Sequence, residues 1–279
     1  MTDRIAPTRR LLHGADLPQI GLGTYPMDDR ESERVVADAI GAGYRLLDTA
    51  ENYGNEKGVG RGIAVSGVDR GDVFVTSKFN KKWHGGKKVR EAFERSAERM
   101  GLDYLDLLLV HWPNPSHDRY VEAWEGLVDL LESGHLKAIG VSNFKPTHLA
   151  RIIEATGVAP DVNQIQLSPA STRADARAFH AEHGIVTESW SPIGGMGVNV
   201  LDDPVVAEVA ARNGRSLAQT ILRWHVELGL VPIPKSSDPE RLRQNLDVFD
   251  FTLSPTDVAT LSGLDQGEGV VEDSDSFGH

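Results

Sequence analysis

The sequence predicts an α/β fold, a (β/α)8 TIM barrel with an N-terminal hairpin closing the barrel bottom. Three observations carry this. Eight short runs rich in Val, Ile and Leu alternate with longer amphipathic stretches. Runs such as LDLLLV are apolar without alternation, which suits parallel strands covered on both faces. No Gly-rich dinucleotide turn follows an early strand, so a barrel is favoured over a doubly wound sheet.

The elements follow in order. RRLLHGADLPQ (9–19) carries a turn signal at His13-Gly14-Ala15-Asp16 between two short runs and reads as the hairpin. The strands are QIGLGTY (19–25), GYRLLDTA (43–50), VFVTSK (73–78), YLDLLLVH (104–111), LKAIGVSN (136–143), DVNQIQ (161–166), IVTESW (185–190) and LVPIPK (230–235). Apolar residues at helical spacing predict helices over 30–43, 87–101, 118–135, 145–157, 170–184 and 204–229. Gly41 and Gly43 close the first of these and Gly101 the second. A helix over 239–249 precedes a loop-like acidic tail, 268–279. No low-complexity linker divides the chain, so one barrel domain over residues 1–279 is expected.

Composition narrows the function. With 29 Lys+Arg against 41 Asp+Glu, the formal charge is −12, which argues against nucleic-acid binding. There is no cysteine, so disulfides, thiolate nucleophiles and Cys-based zinc sites are excluded. No apolar run is long enough to span a membrane, and MTDRIAPTRR does not read as a signal peptide. The expectation is a cytoplasmic protein, without membrane or nucleic-acid partners, acting on a small molecule.

Chemistry on such a barrel gathers where strands end. Asp48 ends the second strand and Tyr53 follows in its loop. Lys78 ends the third strand, His111 and then Trp112 the fourth, and Ser142-Asn143 the fifth. Gln164 lies in the sixth, Trp190 ends the seventh, and Lys235-Ser236-Ser237 end the eighth. Alone, each is ordinary: an Asp caps, a Lys is solvated. Together at one barrel mouth, an Asp, a Lys, a Tyr and a His require charge pairing. A Lys ammonium held by a carboxylate lowers a neighbouring phenol's pKa, which makes Tyr53 a candidate general acid. A neutral His111 would orient a carbonyl oxygen.

The motifs LDTAENYGNE (47–56), TSK (76–78), LLLVHWP (107–113), IGVSNF (139–144), NQIQLSP (163–169), SWSP (189–192) and IPKS (233–236) run in order across nearly the whole chain. Together they resemble the aldo-keto reductases, most of all the bacterial branch that includes the 2,5-diketo-D-gluconate reductases. The resemblance implies a monomeric barrel that binds NADPH in an extended pose and reduces aldehydes or ketones. It implies a catalytic tetrad of Asp48, Tyr53, Lys78 and His111, with Tyr53 protonating the oxygen as hydride leaves nicotinamide C4. It implies cofactor contacts at Thr24, Ser142, Asn143 and Gln164, and a stacking face at Trp190. Ser191 and Ile193 fall at the pyrophosphate, Lys235, Ser236 and Arg241 at the 2′-phosphate, and Gln244 and Asn245 at the adenine. The expected substrate wall is Tyr25, His111, Trp112 and Trp83, with Asn80 adding a polar element.

Some positions depart from that pattern. Asp238 places a carboxylate near the 2′-phosphate clamp, which would weaken NADPH relative to NADH. Trp83 reads equally as a loop residue packed on a helix. Gly58-Val59-Gly60-Arg61-Gly62 reads as the start of a helix, not a dinucleotide turn. His180 and His183 read as a solvated helix face, so no metal is expected. The acidic tail is either disordered or folded over the barrel mouth. Two rivals stand beside the reductase: a metal-dependent hydrolase or lyase using Asp48 and His111, and a non-catalytic nicotinamide-cofactor-binding scaffold of the same fold.

Overall fold

The computed structural model describes residues 5–195 and 197–279. The chain opens with an antiparallel hairpin, β1 (Thr8–Arg10) and β2 (Asp16–Pro18). Its turn is closed by Leu11 N–H to the Ala15 carbonyl at 2.8 Å, and Gly14 takes φ +93°, a conformation that glycine reaches without a Cβ clash. Eight parallel strands then pair in chain order: β3 (Leu22–Gly23), β4 (Leu46–Asp48), β5 (Phe74–Phe79), β6 (Leu105–Val110), β7 (Leu136–Ser142), β8 (Val162–Gln166), β9 (Val186–Trp190) and β10 (Val231–Pro232).

The first and eighth strands meet through Gly21 N–H to the Pro232 carbonyl (3.1 Å) and Gly23 N–H to the Pro234 carbonyl (3.0 Å). Prolines have no N–H to return these bonds. The seam is therefore one-sided, and β3 and β10 are shorter than the runs 19–25 and 230–235 predicted. The seam is also tight. A Cβ on Gly21 would fall 2.7 Å from Ile233 Cδ1 and 2.8 Å from Leu46 Cγ.

The helices are α1 (Asp29–Ala42), α2 (Glu56–Ser66), α3 (Lys87–Met100), α4 (Tyr120–Glu132), α5 (Pro146–Thr156), α6 (Ala174–Glu182), α7 (Pro204–Asn213), α8 (Leu217–Glu227), α9 (Pro239–Leu246) and α10 (Pro255–Ser262). α1 is capped by the Asp28 carboxylate, which accepts from Glu31 N, and ends at Gly43 with φ 117°; Gly41 lies inside it. The glycine-rich stretch 58–62 lies within α2, where Gly58 and Gly60 let the helix approach the backbone of Asp29 and Met100. Three expectations change. The helix expected over 204–229 is two helices: Gly214 (φ 62°) ends α7, and Ser216 with Gln219 forms a capping box that starts α8. α6 begins at Ala174, not 170. α10, capped by Ser254, forms between the expected helix 239–249 and the acidic tail, where no element was expected.

His180 also differs from expectation. His180 is buried, with Nε2 against Asn163 Nδ2 (2.9 Å) and Nδ1 against Thr187 Oγ1 (2.8 Å). It ties α6 to β8 and β9 and is not a solvated face. Burial, then the charge of Arg173, lowers its pKa to about 3, so it is neutral at pH 7.

Two apolar layers hold the barrel. Outward-facing strand residues such as Val75, Leu108, Ile139 and Val141 pack on Val35, Val36, Trp124 and Leu127 of the helices. Inside, Leu46, Phe74, Leu107, Ala138, Val162, Val186 and Val231 pack with Leu11 and Leu17 of the hairpin, which plugs the bottom. Burying each large aliphatic side chain stabilises by about 1.5–3 kcal/mol. Among the described residues, no helix is long and apolar enough to cross a membrane.

Candidate active site

Side chains alternate along a strand, so every second residue faces the barrel interior. Two positions beyond the apolar layer, the inward residues become polar: Asp48 follows Leu46, Gln164 follows Val162 and Glu188 follows Val186. On β5 the change comes at Thr76, two residues after Phe74, and Lys78 follows on the same face.

Lys78 is fully buried. Its Nζ donates to Asp48 Oδ2 at 2.6 Å and to the Thr49 carbonyl at 3.1 Å, and lies 3.4 Å from Tyr53 Oη. Burial works to lower its pKa, but Asp48 and then Tyr53 outweigh burial and raise it, so Lys78 is charged at neutral pH. Asp48 is held from its other side by Gln164 Nε2 at 2.8 Å.

Tyr53 ends a short 3-10 turn, Glu51–Tyr53, which Gly54 closes at φ 70°. Its pKa is raised, against the lowered value expected. Burial disfavours the phenolate more than the Lys78 ammonium favours it. The phenol is thus protonated at neutral pH, in contact with a cation that stabilises it once the proton leaves.

His111 lines the cavity with its ring 5.9 Å from that of Tyr53. Burial, then Lys78 and His279, hold its pKa well below 6.5, so the imidazole is neutral. Its buried Nδ1 has no partner among the described residues. Tyr25, 60% exposed, packs on Tyr53 with centroids 5.1 Å apart.

One wall is an interlocked hydrogen-bond set. Asn143 sits at φ 64°, a left-handed conformation costly for a residue with a Cβ. Its side chain is fully engaged: Nδ2 donates to the His111 carbonyl (3.1 Å) and to Ser142 Oγ (2.9 Å), and Oδ1 accepts from Trp190 Nε1 (2.8 Å). Ser142 Oγ donates to the Gln164 carbonyl at 2.8 Å, and Thr24 Oγ1 to the Asp48 carbonyl at 2.9 Å. These bonds pin the Trp190 indole as a fixed aromatic face. Ser191, at φ 49°, turns the chain along the same wall.

The cavity holds about 650 Å³, within the range of small-molecule sites. Thr24, Tyr25, Asp48, Tyr53, His111, Trp112, Ser142, Asn143, Gln164, Trp190, Ser191, Ile193 and Lys235 line it, and Lys78 lies beneath. Ser236, Arg241, Gln244 and Asn245 stand beyond its lining, Arg241 and Gln244 exposed on α9 and Asn245 buried. Trp83 is not in the wall. Its Nε1 donates to Glu51 Oε2 at 2.8 Å, and its ring packs at the edge of the helix–strand core. Asn80 is outside the lining too, at the start of the 3-10 turn Lys81–Trp83. Asp238 is the N-cap of α9: its Oδ1 accepts from Glu240 N and Arg241 N, both at 2.9 Å.

Sequence reasoning missed Asn52, Glu272, Phe277, His279 and Glu188. The acidic tail does fold over the mouth. Lys145 Nζ meets Asp273 and Asp275 at 2.5 Å, and Glu272 N–H donates to Gln166 Oε1 at 2.9 Å. Phe277 then packs edge-on to Trp112 and His279 to His111, each with centroids 4.8 Å apart. No local pattern announces these contacts. Glu188 was findable: it precedes Trp190 by two residues and so shares its face.

The model of the aldo/keto reductase family matches residues 19–266. The chain is 46% identical over 261 residues to 2,5-diketo-D-gluconic acid reductase B of Corynebacterium sp., covering 94% of each. It is 42% identical to methylglyoxal reductase DkgA of Escherichia coli over 96% of this chain and 97% of that one. Among solved structures, a mutant of Gox0644 in complex with NADPH superposes with a TM-score of 0.93 at 41% identity, covering 98% of this chain and 99% of that one.

Proposed function

The chain belongs to the aldo/keto reductase family, and from that premise we propose that it reduces aldehyde or ketone carbonyls to alcohols with NADPH, Tyr53 being the proton donor. The buried chain Tyr53–Lys78–Asp48, with links of 3.4 and 2.6 Å, carries the reading.

The cavity fits a nicotinamide nucleotide. Trp190 offers a pinned aromatic face, and Ser142, Asn143 and Gln164 surround it with amide and hydroxyl groups. Lys235 lines the cavity as an exposed side chain, at the position where the family resemblance implies the 2′-phosphate. Bound NADPH supplies the hydride from C4 of its ring.

The chain's own groups do the rest. His111, neutral, hydrogen-bonds the substrate oxygen and sets its angle. Tyr53 transfers its proton to that oxygen as the carbon takes the hydride, giving the alcohol. The phenolate left behind lies against the Lys78 ammonium, and Asp48 keeps Lys78 charged. Tyr25, Trp112 and Phe277 limit water at the mouth.

A panel of simple aldehydes and ketones, followed by loss of the reduced-nicotinamide absorbance, tests the activity. Tyr53→Phe is expected to lower turnover by about 10²–10⁴-fold while NADPH affinity stays within about twofold, since Phe keeps the ring and loses only the donor. Retention of most of the turnover would reject Tyr53 as the acid. The proposal includes residues 1–279 working as one barrel unit, a monomer in the cytoplasm. Sedimentation at 30.4 kDa checks the monomer.

A further inference from the structure

Glu188 is a buried acid for which the proposed reaction has no use. It stands on β9 opposite Gln164 of β8 in the sheet register and has no exposed surface. Its Oε2 accepts from Gln164 Nε2 at 2.9 Å, and the same nitrogen donates to Asp48 Oδ1 at 2.8 Å. Its Oε1 has no partner among the described residues. An amide nitrogen has two hydrogens, so both are taken by the two acids. The reversed amide would set a carbonyl oxygen against the Asp48 carboxylate. Gln164 therefore has its own carbonyl oxygen left for the cavity it lines.

We propose that Glu188 is a positioning residue: it clamps the Gln164 amide against Asp48, so that the cavity wall presents a fixed acceptor to an N–H donor, the class to which the nicotinamide carboxamide belongs. This rests on the reading of the cavity as a nicotinamide site. Glu188 also brings a proton. Burial, then the Asp48 carboxylate, raises its pKa to about 8, while the Gln164 hydrogen bond and Lys78 oppose the rise. The groups acting on it come from β4 (Asp48), β5 (Lys78) and β8 (Gln164), and β10 faces it with Val231. Below that pH the acid is neutral. Above it, a second negative charge lies behind Asp48 and favours a cationic ring in the cavity over a neutral one.

Fluorescence titrations without substrate test this, using NADPH, NADP+ and adenosine 2′,5′-bisphosphate, which lacks nicotinamide. Glu188→Leu removes the acceptor and is expected to weaken NADPH by about tenfold while the bisphosphate binds as before. Glu188→Gln keeps an acceptor and restores NADPH binding at pH 6.5. In the wild type, NADP+ gains on NADPH as pH rises through 8, and in Glu188→Gln that gain is absent. Equal weakening of NADPH and the bisphosphate in Glu188→Leu would overturn the inference, as would an unchanged pH response in Glu188→Gln. A wild type that binds the bisphosphate and not NADPH would overturn the nicotinamide reading itself.

Discussion

The lower and upper halves of the barrel interior are built from the same strands and behave as different materials. Below, Leu46, Val162 and Val186 pack dry against the hairpin plug. One pleat above them stand Asp48, Gln164 and Glu188, in a hydrogen-bonded set that includes Lys78. The lower layer is held by apolar area, which is non-directional and tolerant. The upper layer is held by pairing, where removing Lys78 leaves the buried Asp48 carboxylate without its cation. Close packing below is what lets polar groups above sit at fixed distances. On β4, β8 and β9, stability and chemistry are thus separated by a step of two residues.

Substitutions in the two layers should therefore fail in different ways. Lys78→Met has the largest expected effect. It leaves Asp48 buried without its cation, so a stability loss of about 3–5 kcal/mol by denaturant titration accompanies loss of turnover. A variant with unchanged stability would show that the upper layer is not held by its ion pair. Leu107→Ala, in the lower layer, should cost about 2–5 kcal/mol through the cavity it leaves, with kcat/KM within about twofold of wild type. A collapse of kcat/KM in a folded Leu107→Ala protein would mean that the layers are coupled.

Asp238→Asn should give the smallest change, since it lies outside both layers. Asn caps a helix as well as Asp, so the fold is undisturbed and only a charge is removed. Backbone donation from Arg241 and then Glu240 holds this carboxyl below its ordinary value, so it is ionised at neutral pH. NADPH affinity should improve by about two- to threefold over NADH by screened electrostatics. Equal changes for both cofactors would remove Asp238 from the question of cofactor choice.

Much of this molecule was readable before its structure. Strand ends pointed to Asp48, Lys78 and His111 because parallel strands deliver their C-terminal residues to one face. The α7–α8 break was also written locally, in Gly214 and the Ser216/Gln219 box, and was overrun by the apolar period on either side. Other features were not local. The family resemblance implies a pocket Trp near Asn80, which suggests Trp83 for the wall, yet its indole bonds Glu51 and lies outside the cavity lining. His180 looked solvated because α6 is polar around it, and its burial depends on partners in β8 and β9. The tail's place depends on Lys145, more than a hundred residues away.

Periodicity and turn chemistry, which act over a few residues, were enough to specify a barrel and the identity of its polar rim. The direction of the Tyr53 shift, the cap role of Asp238 and the bridge from Asp48 through Gln164 to Glu188 emerged only when distant strands met. Those properties depend on how much water a neighbour displaces and where its dipole points, and both are set by packing between segments far apart in the chain.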